Sequence, residues 1–137
     1  MKSKLRKSLN DNKFVFTAET SPPDSGSKID VIDQVKSLKG LADAINVTDG
    51  AGANSHMSAL ATAAIIAEDG IEPILQFTTR DRNRIAIQGD LLGGWALNIP
   101  NILCLYGDEV KSGDQPEAKE VRDLDTISLL KTANNIK

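Results

Sequence analysis

Phe14 to Gly40 reads FVFTAETSPPDSGSKIDVIDQVKSLKG. Its first part, Phe14–Ala18, is aromatic and partly β-branched, which is a strand pattern, and Pro22 and Pro23 stop it. Ser27 followed three residues later by Asp30 resembles a capping box. Apolar residues then recur at Ile29, Ile32, Val35 and Leu38, the spacing of one helical face, and Gly40 closes the run. Strand, turn and helix make one βα unit.

The unit recurs along the chain. Ala44–Val47 is a short apolar strand, followed by a glycine-rich loop from Thr48 to Asn54. Ser55 is placed to cap a helix whose face is Leu60, Ala61, Ala64 and Ile65, and Asp69-Gly70 ends it. Glu72–Phe77 is a third strand, with Pro73 near its start, where a missing N–H is tolerated. Asp81 is placed to cap the next helix, which carries Ile85, Leu92, Trp95 and Ala96 and three glycines suited to close packing. Asn101–Leu105 is a fourth strand, Tyr106–Arg122 a polar loop, and 123–136 a last helix.

The order βαβαβαβα predicts an α/β fold with a parallel sheet. An open doubly wound sheet and a piece of a (β/α)8 barrel both fit. A complete barrel needs about 250 residues. This chain has 137, so its four βα units read as one domain, a (β/α)4 half of a TIM-type barrel, behind a polar lead-in at 1–12.

Composition narrows the function classes. Apolar residues make up 40% and the formal net charge is -3, against the basic face of a general nucleic-acid binder. The single cysteine, Cys104, excludes an intrachain disulfide framework and suits a reducing compartment. The basic start Met-Lys-Ser-Lys-Leu-Arg-Lys is followed by no apolar run, and no stretch approaches the roughly 20 apolar residues of a membrane span. A cytoplasmic protein with no membrane partner is the expectation.

Functional residues of parallel α/β folds collect at the carboxyl ends of the strands. Those ends carry Glu19 and Thr20; Thr48, Asp49 and Asn54; Gln76, Thr78 and Thr79, with Arg80 and Asp81 beyond; and Tyr106, Gly107, Asp108 and Glu109. Loops are polar in any case, and Asp or Thr after a strand often caps a helix. Agreement across four strands favours a site. Glu19, between Phe14, Phe16 and the two prolines, suits a general acid, the structural alternative being an ion pair with Arg80 or Lys28. Asp108 follows a glycine that would let a ligand approach, or it simply forms a turn.

The glycine loop matches neither the phosphate-loop nor the dinucleotide-binding pattern. His56 reads as a cap or surface residue, Cys104 as core and Trp95 as helix-to-sheet packing. No His/Cys cluster has metal spacing.

Four segments lie in order: FTAETSPP, NVTDGAGAN, QFTTRDRN and LYGD. Together, from about Phe14 to the end, they resemble the methylenetetrahydrofolate reductase family. The resemblance implies a barrel that binds FAD, takes electrons from NAD(P)H or another donor, and reduces 5,10-methylenetetrahydrofolate to 5-methyltetrahydrofolate in one-carbon and methionine metabolism. It implies that Glu19 is the acid that opens the methylene bridge and that Asp108 lies beside flavin and pterin. Thr48, Gln76, Tyr106 and Gly107 fall at cofactor-binding positions. Tyr106 stands where the better-known reductases have arginine, and Gln76 or its neighbour where histidine is common, so the chain resembles a divergent branch. Half a barrel leaves free edges, so a second copy or a complementary half-barrel chain is the expected partner, unless the chain is partial. The alternatives are a non-catalytic half-barrel and a flavin-free pterin-binding module like a methyltransferase.

Overall fold

A computed structural model describes residues 3–136. Four strands form one sheet in the order β1-β2-β3-β4: β1 Thr17–Thr20, β2 Ala44–Val47, β3 Pro73–Thr78 and β4 Asn101–Leu105. Every pairing is parallel. A helix follows each strand: α2 Lys28–Val35, α3 Ala59–Glu68, α4 Arg84–Ala96 and α5 Thr126–Asn135. The short helix α1, Lys4–Asn10, precedes β1. The chain is therefore an α/β half-barrel of four βα units. No helix of the described residues is long and apolar enough to cross a membrane.

Side chains alternate across a strand, and the register sorts them into two faces. One face carries Ile45, Val47, Leu75 and Phe77, which pack with Val31 and Val35 of α2, Ala63 and Ile66 of α3, Ile87 of α4 and Leu129 of α5. All four helices bury their apolar sides there. Fully burying each large apolar side chain stabilises the fold by about 1.5–3 kcal/mol. The other face carries Thr17 and Glu19 of β1, Ala44 and Asn46 of β2, Ile74, Gln76 and Thr78 of β3, and Leu103 of β4. Ala44, Ile74 and Thr78 are buried there, and Glu19 and Leu103 are exposed.

The helices start and stop for local reasons. The Ser27 hydroxyl accepts from the Asp30 amide and caps α2, as its spacing predicts. The other two caps differ. Asn83, not Asp81, caps α4, accepting from the Ile85 and Ala86 amides. Ser58, not Ser55, stands at the start of α3. The buried faces also shift. Val31 and Val35 carry α2 inward while Ile29 is 71% exposed. In α3 the buried residues are Ala59, Thr62, Ala63 and Ile66, with Ala61 outside. Trp95 is 55% exposed, so it is not the helix-to-sheet contact; Gly94 is buried instead, where a Cβ would lie 4.0 Å from Leu75 Cδ2 of β3 and 3.5 Å from Leu60 Cδ1 of α3. Gly89 and Gly93 meet nothing.

The start of α1 is tied to the amino-terminal end of the sheet. The Glu72 carboxylate accepts from Ser3 Oγ, the Lys4 and Leu5 amides and Asn101 Nδ2. Burial alone would raise the Glu72 pKa; these donors outweigh it and hold it below the ordinary value. The carboxyl ends of the strands, where no such helix lies, are left for the loops that carry the candidate site.

Candidate active site at the carboxyl edge of the sheet

β1 begins three residues later than the aromatic run suggests, at Thr17 rather than Phe14. Glu19 therefore sits inside the strand, opposite Asn46. Phe14 and Phe16 precede the strand at 82% and 64% exposure, their rings edge to face at 4.9 Å. They do not wall in the carboxyl. Neither ion pair forms: Arg80 pairs with Asp81, and Lys28 with Glu68. Glu19 accepts one hydrogen bond instead, from Gln76 Nε2 at 2.9 Å. That bond spans from β1 across β2 to β3, because the register runs Glu19, Asn46, Ile74 and Gln76 lies two residues beyond Ile74.

Asn46 is a polar residue of this face that the strand pattern does not single out. Its Nδ2 donates to the Ala18 carbonyl at 3.4 Å. Its Oδ1 is buried and has no hydrogen-bond partner among the described residues.

Behind the rim lies an ion-pair network. Asp49 accepts from the Thr78 amide at 2.8 Å and hydroxyl at 3.0 Å, and from both terminal nitrogens of Arg82. Arg82 also binds Asp90 and lies over the Phe77 ring. Burial would lower the Arg82 pKa; Asp49 and Asp90 outweigh it and hold the guanidinium charged. Arg80 is bidentate on Asp81 and reaches the Gly50 and Asp108 carbonyls, so it braces two loops.

After β4, the Tyr106 ring lies 3.8 Å from the Arg122 guanidinium. Arg122 donates to the Tyr106, Gly107 and Asp108 carbonyls and binds Glu120, whose pKa that pairing lowers to about 2. Gly107 turns with φ +89°, and a Cβ there would lie 3.1 Å from Thr78 Cβ. The glycine is required by this packing whatever binds above it. Asp108 Oδ2 accepts from the Gly52 amide at 2.8 Å, and Asp114 accepts from the Ser55 amide and hydroxyl. The loops after β2 and β4 are thus joined. Thr48 is buried, its hydroxyl 3.1 Å from Ser21 Oγ.

The sheet therefore brings Glu19 and Gln76 into contact on its open face. Thr48, Tyr106, Gly107 and Asp108 lie along the same rim, with Asp108 used partly as a loop anchor. His56 pairs with Asp24 at 2.5 Å, which ties the loop after β1 to the loop after β2. Burial pushes the Cys104 thiol pKa up. Among the described residues no group of three or more His, Cys, Asp or Glu could hold a metal ion.

A family model described as methylenetetrahydrofolate reductase matches residues 4–136. A search of curated proteins gives no match.

Proposed function

The chain belongs to the methylenetetrahydrofolate reductase family, and from that premise we propose that it carries the acid-bearing side of a flavin-dependent site reducing 5,10-methylenetetrahydrofolate to 5-methyltetrahydrofolate. Residues 1–137 are then one domain, the N-terminal half of the barrel, working in the cytoplasm with NAD(P)H or another reductant as electron donor. The observation that carries the reading is Glu19. It is an exposed carboxyl on the face away from the helices, near the strand ends, bonded to a neutral amide and, among the described residues, to no cation.

In this reading the Glu19 carboxylic acid gives its proton to the amine nitrogen that leaves when the methylene bridge opens. The C–N bond breaks and an iminium carbon remains to be reduced. Gln76 holds the Glu19 carboxyl in the empty protein and yields it when substrate arrives, and the Asp108 oxygen that Gly52 does not use is available to pterin or flavin N–H groups.

The residues present fit one end of FAD. Tyr106 is half exposed, Gly107 adds no side chain over the backbone, and Asp108 keeps one oxygen unbonded. When bound, the flavin supplies the two-electron reduction. Its diphosphate arm finds less here. Arg80, Arg82 and Arg122 are spent on Asp81, on Asp49 and Asp90, and on Glu120. Those spent arginines favour a second reading, in which the chain holds flavin only with a complementary half-barrel or a second copy.

The test is Glu19→Gln in any flavin-loaded assembly that contains this chain. Folate reduction should fall about a hundredfold to ten-thousandfold, the usual worth of general acid catalysis, while flavin reduction by the donor persists. Equal loss of both half-reactions would make Glu19 structural. Purified chain with no visible flavin band after incubation with FAD would favour the second reading.

A further inference from the structure

Asn46 stands between the two residues that define the site, and its carbonyl oxygen is unused. The orientation of its amide is set by Ala18: Nδ2 faces that backbone carbonyl, and the flipped amide would set oxygen against oxygen. Oδ1 is therefore the end without a donor, and it is buried. Buried acceptors are rarely left unpaired, because they lose their hydrogen bond to water and gain nothing. An apolar residue would serve the empty protein better at this position. Asn46 lies opposite Glu19, and the Gln76–Glu19 hydrogen bond crosses β2 beside it.

We propose that Asn46 is a substrate-positioning residue of this site, its Oδ1 taking a hydrogen bond from an N–H of a reduced pteridine ring. The proposal rests on the folate reading above. In the empty protein Gln76 closes on Glu19. In the loaded one the ring displaces that bridge and supplies the donor that Asn46 lacks.

The experiment is a pair of measurements on the full chain, thermal unfolding and tetrahydrofolate binding by calorimetry, for wild type, Asn46→Leu and Asn46→Ser. Leucine keeps the branched skeleton and removes the unpaired oxygen, together with the long Nδ2 contact to Ala18. Its Tm should equal or exceed that of the wild type, while tetrahydrofolate binding weakens about tenfold, the worth of one lost hydrogen bond. Serine, which keeps an acceptor, should bind between the two. A lower Tm for Asn46→Leu, or failure of that variant to fold, would show that the amide serves the empty structure and would overturn the proposal. So would wild-type affinity in both variants, with the folate reading left standing. A wild-type chain that binds no tetrahydrofolate, either alone or in an assembly that holds flavin, would remove the folate reading, and the proposal with it.

Discussion

Asp49 takes four donors: the Thr78 amide, the Thr78 hydroxyl and both terminal nitrogens of Arg82. Its side chain is 9% exposed and that of Arg82 is 16% exposed, so water replaces little if the pair is broken. Asp49→Ala should cost about 3 kcal/mol in urea unfolding, because Arg82 keeps a buried charge with only Asp90 beside it. A loss under about 1 kcal/mol, typical of surface pairs, would show that the network is solvated. Lys28 and Glu68 are the internal comparison: both are largely exposed, and Lys28→Ala should change stability little. Gly107 is the second sensitive position. Alanine there would combine a left-handed φ with contacts of 3.1 and 3.2 Å to the Thr78 and Arg80 Cβ atoms. Gly107→Ala should destabilise by about 1–3 kcal/mol. Unchanged stability would mean that the loop after β4 yields, and that Arg122 does not hold it.

Helix α1 shows how one carboxylate fixes an element. Glu72 accepts from the Lys4 and Leu5 amides, which the helix start leaves unpaired, and it sits where the helix dipole favours negative charge. Its folded pKa is lowered from the ordinary 4.5. A depressed carboxylate contributes stability above its unfolded pKa and loses it as pH falls through the folded value. Hydrogen-exchange protection of the Lys4 and Leu5 amides should therefore decline as pH drops below about 4.5, and Glu72→Gln should remove that pH step. A step that survives the substitution would assign it to another group. The same scale shows what the sequence makes legible. β2 and β4 lie where short apolar runs between turn residues put them, at Ala44–Val47 and Asn101–Leu105. β1 was displaced because Phe14 and Phe16 look like core and are not covered by any helix. The inward face of α4 was hidden because one of its contacts is Gly94, which leaves no mark in a hydrophobic pattern. The rim residues were legible, since parallel strands deliver their ends to one edge. Their partners were not: Arg122 lies 16 residues beyond the Tyr106 carbonyl it binds, and nothing local marks the distance.

At the scale of the molecule, the sheet order leaves the outer edges of β1 and β4 without a neighbouring strand among the described residues. Both edges are parallel in sense, so β4 of one copy can take β1 of another in the register that the four strands already use. The open face mixes the polar row of Glu19, Asn46 and Gln76 with exposed Leu103 on the edge strand. Unpaired edges with apolar neighbours drive strand addition between chains. Two copies closing head to tail would make an eight-stranded ring and bury Leu103 inside it. Light scattering on the purified chain should give a mass near twice 14.7 kDa. Leu103→Lys, which puts a charge into that closed interior, should return the mass to the monomer value without unfolding the sheet. A wild-type chain that stays monomeric at high micromolar concentration would exclude closure by self-association, and a complementary half-barrel would be the remaining way to cover the face.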